Sequence, residues 1–345
     1  MWWRTTLIVA AVLMAILPVA RPAVETYYSN RAFPILQHWL TDLSNRVPFA
    51  LLDVLLVGAA LWWVVTIVVD LAGRRSFPRV FLRLVLRTAT MAAVVYLWFA
   101  VVWGLNYRRM PLPAKIQFDE KSITPAASRE LARRAVDEVN ALYVSAHSEL
   151  ALTGGGAGRR LEEAFAHAQG ALGVQRSALP ARPKRTLLDA YFRAAGVEGM
   201  TDPLFLEILI ARGLLPFEEP FVIAHEWSHL AGFTDEGEAN FVGWLTCLRG
   251  TDAAKYSGWL FLYSQVIAGL PPADRANIVG RLGPGPAKDL QAIAERVKQE
   301  LRPEISAVGW RVYDQYLKAN RIEAGTASYA EVVRLILGSR SSGLF

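Results

Sequence analysis

The residues most able to do chemistry together lie in one stretch, His225-Glu226-Trp227-Ser228-His229, followed by Asp235, Glu236, Glu238 and Asn240. On an α-helix, residues four apart are rotated by only about 40°, so His225 and His229 present their imidazoles to one side and can grip one metal ion. Glu226 is offset from His225 by about 100°. That puts it beside the metal and not on it, where a carboxylate can take the proton of a metal-bound water. Four apolar residues, Phe221 to Ala224, lead into the motif, as expected of a buried helix whose ligands face an internal cleft. Imidazole and carboxylate ligands suit zinc, Zn2+. A catalytic zinc takes three protein ligands and keeps a position open for water, so a third ligand is expected among the acids past Gly232. Glu236 is the first choice, because Asp235 reads as a helix N-cap and Glu238, three residues later, completes a capping box. Glu238 is the alternative, then Asp235. Asn240 falls on the helical face of Glu236, where it can orient that glutamate or the first histidine. The rival reading is a buried helix with two incidental histidines, in a chain that has only five.

The elements that hold this stretch are read from where the apolar residues fall. Of 345 residues, 53% are apolar and 20% charged, which excludes a disordered chain and argues against a wholly soluble one. The long apolar runs are at the front, giving three expected membrane spans at about 5–21, 49–70 and 88–105. The first also has the form of a secretory signal, but no small-x-small cleavage site follows it, so it reads as an uncleaved anchor. Between the second and third runs lie Arg74, Arg75, Arg79, Arg83 and Arg87 without an acid, which makes that connection cytoplasmic by the positive-inside rule. Everything after residue 105 is then extracytoplasmic in a multi-pass protein of the cell membrane. Arg108 and Arg109 pull the other way. The arginine cluster accounts for much of the net charge of +6, so nucleic acid is not needed as a partner. Cys247, the single cysteine, excludes an intramolecular disulfide and cysteine-rich metal modules and reads as a small core residue.

Residues 106–345 read as one soluble, mostly helical domain. Thr124-Pro125 has the form of an N-cap and first helical residue, opening a helix expected to reach about His147. The glycines from 154 to 158 read as a flexible connection, since the lysine and hydroxyl of a phosphate loop are missing. Leu204 to Ile210 is the expected strand, either an edge strand able to bind extended peptide or a core strand. After residue 218 helices resume, with stops at Gly232, Gly250, Pro271-Pro272, Gly283-Pro284 and Pro303. His147 and His167 read as structural or surface residues. An oxyanion donor is sought among Tyr313, Tyr316, Tyr329 and Arg321.

Glu236-Gly237-Glu238-Ala239-Asn240 after HExxH resembles the second-helix pattern of gluzincin-type zinc sites, although only seven residues separate His229 from Glu236. Nearly the whole chain also resembles a bacterial membrane-protein family known as domain-of-unknown-function family 3810. The resemblance rests on Trp103-Gly-Leu-Asn-Tyr107, the HExxHxxGF and EANF segments, Val312-Tyr-Asp-Gln-Tyr-Leu317 and Ser328-Tyr329. It implies a membrane-anchored zinc metalloprotease and supplies no substrate. Taken together the chain reads as mainly α, with three N-terminal transmembrane helices followed by a mostly helical zincin-like metalloprotease domain with a small β element, and as a zinc metallopeptidase acting on a peptide or protein, with His225, His229 and Glu236 on the metal and Glu226 as base. Two alternatives remain: a non-catalytic membrane-tethered binding or sensing protein with a structural zinc, and a zinc amidohydrolase acting on lipid or cell-wall substrates.

Overall fold

In the computed structural model of this chain the described residues are 2–73, 76–153, 158–320, 322 and 331–345. The molecule is mainly helical, and its apolar N-terminal runs form long helices. Helix α1 (Trp2–Ile16) stops short of the expected 5–21 because Pro18 lacks the amide needed to continue it. Helix α2 (Arg21–Ala23) runs through a π-helical stretch, Val24–Ala32, into α3 (Phe33–Asn45), and this unit is bent by 111° from α1. Helices α4 (Leu51–Ala72) and α5 (Phe77–Val102) are long and apolar enough to cross a membrane, and α1 counts as a third only if the bent pair is one span.

Two expectations about this region change. The third apolar helix begins at Phe77, not near residue 88, so Arg79, Arg83 and Arg87 lie on α5 and not on a loop. Arg87 reaches the buried Asp70 of α4 at 2.7 Å and Arg83 does so at 3.6 Å; Arg74 and Arg75 lie outside the described residues. The 21–47 stretch, expected as a connection, is helical and packs into the part of the chain that follows residue 105. Phe33 belongs to the main core. Gln37 exchanges two hydrogen bonds with the backbone of Leu179 at 2.8 and 2.9 Å, and Thr41 donates to the carbonyl of Leu206 at 2.7 Å.

Beyond α5 a 3-10 turn, Gly104–Arg108, leads to α6 (Pro125–Thr153) and α7 (Arg159–Ala171). Thr124 Oγ1 accepts from the amide of Ala127, as its N-cap position predicts, but α6 runs past His147 to Thr153. Next come β1 (Pro183–Lys184), α8 (Asp189–Ala195), β2 (Gly199–Asp202) and β3 (Glu207–Ile210). The sheet order is β1-β3-β2, with β1 parallel and β2 antiparallel to β3. The strand read as 204–210 is therefore shorter and central. Asp202 accepts from the amides of Leu204 and Phe205, which turns the chain through 203–206 before β3 begins. Among the described residues β1 and β2 form the two edges of this sheet.

Helices α9 (Glu219–Leu230), α10 (Glu236–Cys247) and α11 (Asp252–Ala268) form the centre, and every residue of α10 is buried. Helices α12 (Pro272–Val279), α13 (Pro284–Glu300), α14 (Pro303–Ala319) and α15 (Val332–Gly338) complete the shell, and α12, α13 and α14 each begin at a proline where a break is expected. His147 bonds Asp289 across α6 and α13, His167 is exposed, and Cys247 is buried in the core.

Candidate functional site

Helix α9 carries the HExxH residues and α10 brings an acid to them. Two glycines permit the short path between these helices. Gly232 adopts φ +82°, left-handed backbone that glycine takes without strain, and a Cβ there would meet Arg109, Phe33 and Asn106 at 3.0–3.2 Å. Gly243 lets α10 lie directly on α9, since a Cβ there would come within 3.0 Å of the His225 amide nitrogen.

At this contact Nε2 of His225 and Nε2 of His229 stand 3.2 Å apart, and Oε2 of Glu236 lies 3.3 and 3.4 Å from them. These three side chains are the one group of potential metal ligands among the described residues. All are nearly removed from solvent. His229 Nδ1 is 2.7 Å from the carbonyl of Phe233, which can only accept, so Nδ1 carries a proton and Nε2 is the nitrogen turned toward the cluster. Oε2 of Glu236 is buried and, among the described residues, faces only these two imidazoles. Burial opposes charge on these groups, but pairing prevails. His229 and His225 hold the Glu236 carboxyl well below the ordinary carboxylate range, and Glu236 lifts His229 to about 9 against its burial.

Glu226 is buried beside the cluster. The Thr201 hydroxyl of β2 lies 2.8 Å from both the backbone carbonyl and Oε2 of Glu226. Gly199, also on β2, leaves the room the glutamate occupies: a Cβ there would fall 2.7 Å from its Oε1. Burial pushes the Glu226 carboxyl up, partly offset by the two imidazoles and Thr201.

The other acids go elsewhere. Asp235 caps α10 by accepting from the amide of Glu238 at 3.0 Å. Glu238 does not reach back to close a capping box; its Oε1 accepts from the amide of Leu112 at 2.5 Å, in the field of Lys115 and Arg109. Of the three candidates only Glu236 meets the histidines. Asn240 is buried one turn beyond it on α10.

Several contributors were not singled out by spacing. Tyr313 of α14 donates its hydroxyl to Oε1 of Glu236. Tyr316 stacks on Tyr313 and meets the Tyr107 hydroxyl at 3.3 Å. Trp103 sets its ring edge-on to His229 and donates Nε1–H to the carbonyl of that residue at 3.2 Å. The segments 103–107 and 312–317, far apart in sequence, thus close on the same cluster. Their concentration of aromatic residues was the available signal. Thr201 and Gly199 carried none. Tyr329 and Arg321, considered as oxyanion donors, lie outside the described residues.

No curated protein and no solved structure matches the chain. A family model described as "Protein of unknown function (DUF3810)" matches residues 28–337, which include both histidines, all three acids and the two aromatic segments, and the chain belongs to that family.

Proposed function

We propose that the protein is a membrane-anchored, zinc-dependent metallopeptidase. The observation that carries this is the meeting of His225, His229 and Glu236 at one point. Ligand bonds of about 2.0–2.1 Å at tetrahedral angles set donor atoms about 3.3 Å apart. The three separations here are 3.2, 3.3 and 3.4 Å, and the oxygen among them lacks any other partner. When bound, zinc supplies a water of lowered pKa and a Lewis acid for the substrate carbonyl.

The chain's own groups do the rest. Glu226, held through Oε2 by Thr201, keeps its other oxygen for the proton that leaves the attacking water and passes to the departing amine. A raised pKa suits that exchange, because the acid form must be reachable within the cycle. Tyr313 holds Glu236 by its free-standing oxygen Oε1 and so fixes which oxygen faces the imidazoles. Gly199 to Asp202 form an edge strand beside Glu226, a place where an extended peptide can add as a further strand. That favours a peptide over a lipid or cell-wall amide. A purely structural ion between α9 and α10 would leave the buried Glu226 and its Thr201 support without a task.

The membrane half of the proposal rests on α4 and α5 as spans with the later domain on the extracytoplasmic side. The two arginines that opposed this orientation are consumed inside the molecule. Arg108 donates to the carbonyls of Met14, Ala15 and Leu17, and Arg109 pairs with Glu25 and the carbonyl of Ala231.

The test is elemental analysis of the purified full chain together with hydrolysis of a peptide library. The wild type and Glu238→Ala should carry about one zinc per chain, and His229→Ala and Glu236→Ala should lose it. Glu226→Gln should keep the metal and lose about 10²–10⁴-fold in rate. A folded, zinc-free wild type, or a fully active Glu226→Gln, would overturn the reading.

A further inference from the structure

Helix α14 has two faces with different obligations. Its inner face places Tyr313 on Glu236 and buries Leu317 completely. On its outer face Ile305, Val308 and Val312 recur at positions i, i+3 and i+7 and are 40%, 57% and 60% exposed. A water-facing helix carries polar residues there; a contiguous apolar stripe marks a surface that something covers.

What lies next to the stripe identifies the cover. Gly309 lies against the hydroxyl end of Tyr191 and against Ala195 on α8, where a Cβ would come within 3.1 Å of the tyrosine hydroxyl and 3.7 Å of the alanine methyl. Tyr191 is 47% exposed, and one turn earlier Leu187 is 75% exposed. Leu187 sits at the head of α4: its amide donates to Asp53 Oδ2 at 2.8 Å, in the first turn of that apolar helix, while Ala50 packs with Phe192 of α8 in a small core of its own. The stripe is therefore continuous, through Tyr191 and Leu187, with the end of a helix built to lie in lipid. Arg311, exposed beside the valines, suits an anionic headgroup.

We propose that the outer face of α14, with Leu187 and Tyr191, rests in the surface of the same bilayer that α4 and α5 cross. The helix that covers the candidate metal cluster is then itself held by lipid, and the cluster works at the membrane surface. This rests on the reading of α4 and α5 as spans, not on the presence of zinc.

Because Cys247 is buried and is the single cysteine, introduced cysteines can be labelled alone. The full chain carrying Val308→Cys or Val312→Cys is labelled with bimane and reconstituted in vesicles of phosphatidylcholine and phosphatidylglycerol. Quenching by lipids bearing a nitroxide high on the acyl chain is compared with quenching by aqueous iodide. Val64→Cys on α4 and Glu163→Cys on α7 are the references. Labels at 308 and 312 should follow 64, with lipid quenching several-fold above that at 163 and weak iodide quenching. If 64 is quenched by lipid while 308 and 312 behave like 163, the spans stand and the seating of α14 is wrong. Loss of lipid quenching at 64 as well would remove the spans and the proposal together. A label at 312 reached by neither quencher would mean that protein covers this face, which also overturns it.

Discussion

At the level of single residues, the candidate site divides into groups that meet at one point and groups that hold them there. The first kind is written in the spacing. His225 and His229 four apart, and Glu236 with Asn240 four apart after a glycine turn, are periodicities that α9 and α10 reproduce. The second kind is invisible locally, because Thr201 and Gly199 become neighbours of Glu226 only through pairing of β2 with β3 and its packing on α9. The competing acids show the same limit: Asp235 and Glu238 are separated from Glu236 by what they bond, and the amide of Leu112 lies more than a hundred positions away in sequence. Gly199 offers a direct check. A methyl group there must displace Glu226, whose Oε1 would be 2.7 Å from it, and press on Val222 at 3.0 Å. Gly199→Ala should therefore keep bound zinc while lowering kcat by roughly 10²-fold, the scale of a misplacement of about 1 Å at a reacting group. Metal analysis beside a rate measurement decides it; zinc lost in proportion to rate would mean that the strand supports the ligands instead.

Among elements, helix boundaries were the legible part, since Thr124, Gly232, Gly250, Pro272, Pro284 and Pro303 each start or stop a helix for a local reason. The strand was not. Leu204 and Phe205 share the composition of β3, yet the carboxylate of Asp202 draws their amides into a turn, and Leu206 is left at φ 51°. That carboxylate has its own signature. Burial, with Glu207 adding to it and the two amide hydrogen bonds opposing, raises Asp202 from 3.8 to about 7. A folded-state pKa above the unfolded one means that the folded chain binds the proton more tightly. The stabilising contribution is then complete below about 3.8 and is lost as pH rises through about 7. Asp202→Asn removes this titration and keeps one acceptor for the turn. The melting temperature of the variant relative to wild type should climb between pH 4 and 8, measured by thermal unfolding in detergent. A pH-independent difference would show that Asp202 is ionised throughout.

For the molecule as a whole, the apolar front third was legible as membrane-seeking, but its division of labour was not. Residues 21–47 read as a connection and turn out to be structural: the π-helical turn supplies Glu25 to Arg109 and Lys115 and Ser29 to Asn106, and α3 supplies Gln37, Thr41 and Ser44 to the sheet side. Each buried hydrogen bond lost leaves a partner unsatisfied at about 1–3 kcal/mol. A chain beginning at residue 106 should therefore fail to fold, seen as aggregation and unprotected amides in hydrogen exchange. The same chain co-expressed with residues 1–105 should recover. A well-folded 106–345 fragment would contradict this. The clasp of Arg108 on the last carbonyls of α1 adds a matter of timing. The guanidinium lies 91 to 94 positions after the carbonyls it serves. At a synthesis rate of about 5–20 residues per second, α1 waits roughly 5–20 s for its partner to leave the ribosome. During that interval the C-terminal end of the first helix stands open, so its final pose against α5 is a late event in biogenesis.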